Sequence, residues 1–275
     1  MVNEEGSITI ERPVTEVFEF LLDGMNNPLW RTSVIDSQRV TGKPNTYKQG
    51  MKGPTGRVDG DYEITELRPN ELIAMLLDYL VESRGPQGWT GGVARTVATT
   101  HLIDRVAKLH NLELLETPVG FKYIGEYIKE GRIILGGEES AGLSIRGHVP
   151  EKDGILACLL IAEMVASRGK SLKHQLKDLF SRVGEVYNRR VNVKLDPSIG
   201  ARVKQKIDSE VHEFHGRRVV QQNRVDGLKL IFDDGSWVLM RPSGTEPVVR
   251  FYAESTSEAD LDQLLEYGKQ WITKA

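Results

Sequence analysis

Residues 91–140 run GGVARTVATTHLIDRVAKLHNLELLETPVGFKYIGEYIKEGRIILGGEES, and the alternation within them decides the fold. GGVARTVATT is short, apolar and rich in β-branched residues, as a buried strand is. THLIDRVAKLHN carries its apolar residues at helical spacing. LELLETPVG is again strand-like, FKYIGEYIKEG is helical, and RIILGGEES is a strand running into a loop. Strands that alternate with helices build a parallel sheet covered on its faces by the crossover helices. The stretch therefore predicts an α/β layer.

Outward from it, NELIAMLLDYLVESRG (70–85) predicts a long amphipathic helix closed by glycine. A helix around Gly154–Ser167 and another in SLKHQLKDLFSRVG complete a unit over residues 69–186. Residues 187–200, rich in Asn, Arg, Pro and Gly, read as a linker. Residues 201–275 hold a helix (ARVKQKIDSEVHEFHG), a meander with DDG as a hairpin turn, and a final helix (EADLDQLLEYGKQWI), an α+β pattern. Residues 1–68 differ in texture. SITIERP is strand-like, and PVTEVFEFLLDG places Val14, Val17, Phe18, Leu21 and Leu22 on one helical face. VIDSQRVTG, TYKQGMKG and RVDGDYEITEL then predict an antiparallel meander.

Composition narrows the function. The 275 residues are 39% hydrophobic and 27% charged, enough apolar material for a packed core. A net charge of -3 gives no broad electrostatic reason to expect nucleic acid. No run of about 18 apolar residues suggests a membrane span, and MVNEEGSITI lacks the features of a secretory leader. The single cysteine, Cys158, sits in ILACLLIAEM; it forms no internal disulfide and is expected to pack in a reducing compartment. The expectation is a soluble, cytoplasmic protein.

Three stretches carry chemistry. RPSGTEPVVR (241–250) puts two arginines, two hydroxyls and a glycine into a turn between apolar runs. Gly244 allows close backbone approach, Ser243 and Thr245 supply donors, and Arg241 and Arg250 suit a phosphate. A polar hairpin with incidental arginines is the plainer alternative. GGEESAG (136–142) follows the strand RIIL, and its acids suit either a cation or the hydroxyls of a sugar, with Glu138 accepting and Ser140 able to do both. A solvated acidic turn is the alternative there. HVPEKDG adds His148, Lys152 and Asp153; an imidazole titrates near neutral pH. Lys122, after a strand and a glycine, is placed to reach a crevice at the strand's carboxyl end.

With VARTVATTHLIDRVAK, ETPVGFKYIGE, GGEESAGL, HVPEKDG and RPSGTEPVVRFYAE in this order, the chain from about Pro69 onward closely resembles the second half of the alpha-D-phosphohexomutase family, bacterial phosphoglucomutase/phosphomannomutase branch. The resemblance implies a three-layer α/β/α domain over 69–186 and a small TBP-like α+β domain over 201–275. It implies that Glu138 and Ser140 grip sugar hydroxyls and that Lys122, His148 and Lys152 line the same cleft. It further implies that Arg241, Ser243, Gly244 and Thr245, with Arg250 beside them, bind the phosphate of a hexose phosphate. Enzymes of this family are isomerase-class intramolecular phosphotransferases of carbohydrate metabolism. They use a phosphoserine in a Thr-x-Ser-His-Asn-Pro type loop and a Mg²⁺ in an Asp-Gly-Asp-x-Asp-Arg loop.

Neither loop occurs in these 275 residues. VDGDYEITE offers Asp59 and Asp61 but then Tyr62, Glu63 and Ile64 in place of the third aspartate and arginine, so it reads as a strand rather than a metal loop. The expectation is therefore no catalytic residue and no cofactor in this chain, with Mg²⁺ belonging to the complete family enzyme. ITIERPVTEVFEFLLDGMNNPLW and the strands after it resemble the first half of a START-like, polyketide-cyclase type helix-grip domain. Three functions stay open: a catalytically incomplete phosphohexomutase half that recognises hexose phosphate, a START-like binder of an apolar ligand, and a fusion that is inert or acts beside a chain supplying the missing domains.

Overall fold

Strand β4 (Gly92–Thr96) is buried along its whole length, its one charged residue, Arg95, being paired with Asp104 and Glu116. In this computed structural model it runs parallel to both β5 (Leu114–Thr117) and β6 (Ile133–Gly137), while β7 (Leu143–Ile145) closes the sheet antiparallel to β6. The strand order is β5-β4-β6-β7. The structure describes residues 16, 19–20, 23–30, 33–43, 45–63, 67–196, 198–243 and 246–274. They fall into two units, Met1–Glu66 and Leu67–Ala275.

Helices cover both faces of that sheet. Helix α1 (Pro69–Arg84) starts with proline in its first turn and with Glu71 accepting from Arg68 N, so its first donors are satisfied. Its Ile73, Leu76, Leu77 and Leu80 share a core with Val93, with Ile103 and Val106 of α2 (Leu102–Leu109), and with residues of α4 (Gly154–Arg168) and α5 (Leu172–Val183). Ala94, the next residue along β4, points the other way into a cluster with Phe121, Ile124 and Ile128 of α3 (Phe121–Lys129). The three-layer α/β/α arrangement follows.

The stretch expected to be a linker is largely a strand, β8 (Tyr187–Lys194). Its charged residues masked the alternation Tyr187, Arg189, Val191, Val193, whose register against β13 (Val248–Ser255) is unbroken for eight pairs. Five further strands complete an antiparallel sheet in the order β8-β13-β12-β11-β10-β9: β9 (Glu213–Phe214), β10 (Arg217–Asn223), β11 (Leu228–Phe232), β12 (Trp237–Pro242) and β13. Val238, Met240, Val249, Phe251 and Ala253 face α6 (Gly200–Asp208) and α7 (Glu258–Thr273). Trp237, Leu239 and Tyr252 face the opposite way and pack against Val97 and Ala98, just beyond β4. One sheet face thus builds the small domain's core, and the other its junction with the α/β/α domain.

In the first unit, β1 (Val34–Arg39), β2 (Thr46–Gly53) and β3 (Gly56–Glu63) form the expected antiparallel meander. A helix-grip fold needs a long helix held by its sheet. Among the described residues of this unit the only complete helical segments are Gly24–Asn26 and Asn27–Trp30. Most of the expected helix 13–24, and the strand before it, lie outside the described residues. Asp59 spends its carboxylate on Arg57, 2.6 Å away within β3. Cys158, expected to pack, is exposed on α4. No helix among the described residues is long and apolar enough to cross a membrane.

Candidate functional site

Glu138 follows β6 directly and is buried. Its Oε1 accepts from Gly120 N at 2.9 Å, and its own amide donates to Gly142 O at 2.8 Å, which closes the loop. Ala141 sits in that loop at φ 76, a left-handed conformation that costs a non-glycine residue about 1 kcal/mol or more. Such strain collects at ligand-binding turns. Ser140 is exposed at the loop tip. The Lys152 stem crosses the loop: a Cβ at Gly142 would meet Lys152 Cδ at 3.0 Å and Glu138 Oε2 at 3.6 Å. Glu138, Gly142 and Lys152 are therefore neighbours.

His148 Nε2 lies 2.9 Å from Asp153 Oδ2, and Asp153 Oδ1 caps α4 by accepting from Ile155 N and Leu156 N. The Leu156 amide and then His148 hold the Asp153 carboxyl below its ordinary range. Lys122 is exposed in the first turn of α3, its ammonium 4.8 Å from the Tyr123 ring.

On the small domain, Arg241 of β12 and Arg250 of β13 are direct cross-strand partners. Like charges placed opposite one another destabilise a sheet, so the pair is a standing electrostatic cost that an anion would relieve. Alternation puts both arginines on the face that also carries Leu239 and Tyr252, towards the α/β/α domain. Arg241 Nε donates to Asp226 Oδ2 at 2.8 Å, and Arg250 has Glu246 at 3.9 Å. Ser243 N donates to Val248 O at 2.9 Å and narrows the turn. Gly244 and Thr245 lie outside the described residues.

Four polar residues were not anticipated. Glu139, the neighbour of Glu138, accepts from Tyr252 Oη at 3.3 Å and from Thr96 Oγ1 at 3.4 Å. Burial, with Glu138 beside it, pushes its carboxyl up; burial likewise raises the Tyr252 phenol. Arg190 of β8 pairs across the sheet with Tyr252 and lowers both groups' tendency to rise. Asp226 accepts from Val119 N at 3.1 Å as well as from Arg241. The alternation in VVRFYAES, where Arg250, Tyr252 and Glu254 share one face, was the available signal. Arg190 lies within residues 187–200, the stretch expected to be a linker.

Asp78, Glu82 and His110, on α1 and just past α2, bring one ligand atom each within 4.8 Å of one another, a group that could hold a metal ion. The expectation of no cofactor in this chain is corrected accordingly. Two carboxylates and an imidazole are a donor set for a divalent cation. Here Arg182 (2.6 and 2.9 Å) and Arg168 (2.9 Å) hold the same Asp78 oxygens, so an incoming cation must displace guanidinium groups.

Residues 68–183 match the family model for phosphoglucomutase/phosphomannomutase, alpha/beta/alpha domain III, and residues 191–267 match the model for its C-terminal domain. A phosphoglucomutase of Komagataeibacter xylinus is 35% identical over 74% of this chain and 39% of its own length. A phosphoglucomutase/phosphomannomutase of Thermococcus kodakarensis is 28% identical over 76% of this chain and 43% of its own. The chain thus spans about two fifths of these curated relatives. The crystal structure of a putative phosphomannomutase from Thermus thermophilus superposes with a TM-score of 0.64 and 26% identity, covering 94% of this chain and 50% of that one. These matches correct the expectation of a separate START-like domain, because the superposed phosphomannomutase extends over nearly the whole chain. They also identify no TBP-like fold for the small domain, which stands as mixed α+β.

Proposed function

Because residues 68–183 and 191–267 belong to the phosphoglucomutase/phosphomannomutase family, we propose that this chain is a hexose-phosphate-gripping portion of a phosphohexomutase. The phosphate dianion sits at the turn after β12, between Arg241, Arg250 and Ser243, with Gly244 and Thr245 completing the loop. The hexose hydroxyls donate to Glu138 and exchange hydrogen bonds with Ser140. Lys122, His148 and Lys152 border the same pocket and balance the charge of the ligand.

One observation carries this reading: two arginines face each other across β12 and β13, on the sheet face turned towards the domain that bears Glu138. An anion between them converts repulsion into two charge-assisted contacts, each worth on the order of 1.5–3 kcal/mol. Isothermal calorimetry with glucose 1-phosphate and mannose 1-phosphate tests it. Arg241→Ala is expected to weaken binding by tenfold or more, about 1.4 kcal/mol. Affinity that survives this change, or no binding at millimolar ligand, removes the proposal.

Phosphoryl transfer itself requires a donor phosphoserine and a cation that draws charge off the transferring group. No serine in these 275 residues has the neighbours of the family's phosphoserine loop. The chain is therefore proposed to recognise the substrate without turning it over alone, the remaining groups coming from a chain that supplies them.

A further inference from the structure

Two consecutive backbone amides reach towards opposite ends of the proposed site. Gly120 N donates to Glu138 Oε1 at 2.9 Å, on the sugar side. Val119 N donates to Asp226 Oδ2 at 3.1 Å, and the same oxygen accepts from Arg241 Nε at 2.8 Å, on the phosphate side. Two consecutive peptide units and a single carboxylate thus connect the two grips. Asp226 lies in the turn between β10 and β11 and is only 24% exposed, its partner Arg241 21%. Partial burial strengthens such a pair over one in open solvent.

The arrangement does something that charge neutralisation alone would not. Arg241 already faces Arg250, so a carboxylate near it relieves repulsion from almost any direction. Asp226 takes the Nε edge in particular, and this fixes the plane of the guanidinium fork. The second ligand of the same oxygen is the 119–120 segment that anchors Glu138. Resting on the sugar-phosphate reading above, we propose that Asp226 is a positioning residue. It aims Arg241 and holds the phosphate grip at a fixed spacing from the sugar grip, so that one hexose phosphate spans both.

The consequence is selective. A ligand that uses both grips depends on their spacing, whereas a small anion that uses only the arginines does not. Removing the Asp226 charge even frees Arg241 from a competitor. Calorimetric titration of the full chain with glucose 1-phosphate and, separately, inorganic phosphate reads the difference. Asp226→Asn is expected to lose about tenfold in affinity for glucose 1-phosphate, while affinity for inorganic phosphate shifts by less than about threefold. A thermal melt establishes that the variant is folded. Should it not fold, Asp226→Glu keeps the charge but moves the oxygen by one methylene and is expected to show the same selective loss. Equal losses for both ligands, a loss confined to inorganic phosphate, or no loss for glucose 1-phosphate overturn the positioning role and leave the function intact. Wild-type protein that binds neither ligand overturns the function, and the positioning role with it.

Discussion

Lys229 is fully buried, its ammonium 2.8 Å from Val97 O and from His101 Nε2 and 4.1 Å from the Trp237 ring. Burial, then the charge of Arg95, pushes its pKa down to about 7, although Glu116 at 3.6 Å pulls the other way. Burial and Lys229 also hold His101 well below its ordinary range, so the imidazole stays neutral beside it. The linkage has a definite sign. Below about pH 7 the lysine is protonated in both folded and unfolded chains; between there and its ordinary 10.5 only the unfolded chain keeps the proton. Stability therefore rises with pH across that window, by up to about 1.4 kcal/mol per pH unit. Between pH 7 and 9 the wild type is expected to gain roughly 2 kcal/mol on Lys229→Met, measured as the difference in unfolding free energy from urea titrations. A constant difference across that range would show that Lys229 titrates normally. In the sequence, GLKLIF reads as an ordinary alternating strand with lysine on the wet side. Only the packing of a second domain over that side makes it dry. Arg241 and Glu138 stand out in the sequence because their types are informative at any burial; the surroundings of Lys229, Glu139 and Asp226 do not, because they come from what covers them.

Helix α3 shows how an element places a site. Lys122 stands in its first turn, and Gly125, one residue short of a turn later, meets the loop that bears His148 and Lys152. A Cβ at Gly125 would lie 2.4 Å from Pro150 O, a backbone atom that cannot swing aside. Intrinsic helix preference favours alanine over glycine by about 0.5–1 kcal/mol. Overpacking costs about 1–3 kcal/mol and decides the sign here. Gly125→Ala is expected to destabilise the protein by about 1–2 kcal/mol in a denaturant titration, and a stabilised variant would mean that α3 and the loop are not in contact. Helical periodicity was strong enough to locate α3, α4, α5 and α7. Strand β8 is hard to see in the sequence for a physical reason: Tyr187, Val191 and Val193 pack against the small domain's core, but Arg189 interrupts their alternation and the opposite face carries Asn188, Arg190 and Asn192.

Across residues 67–275 hydrogen-bonded polar groups join the two domains beside the apolar contact of Trp237, Leu239 and Tyr252 with Val97 and Ala98. Glu254 of the small domain accepts from Trp237 Nε1 and from His101 N at 2.9 Å each, and also from Thr100 Oγ1. Arg95 joins Asp104 to Glu116, and Glu116 accepts from Asn223 Nδ2 across the junction. Burial raises the Glu254 carboxyl, so the seam consists of groups that solvent would hold quite differently. The proposed function assigns this chain substrate recognition without a donor phosphoserine. With added Mg²⁺ and a glucose 1,6-bisphosphate primer, the isolated chain is expected to show no mutase turnover in a coupled assay. Turnover abolished by changing one serine of residues 1–68 would reassign that segment. What the sequence determined by itself is local: strand and helix periods, the turn chemistry of RPSGTEP and GGEES, and residue types that suit sugar and phosphate, because these depend on neighbours a few positions away. The tertiary structure alone decided that β8 is a strand, that Lys229 is dry, and that Asp226 and the amides of Val119 and Gly120 join Arg241 to Glu138. Those facts depend on desolvation and on contacts between residues far apart in the chain, which no short window of sequence contains.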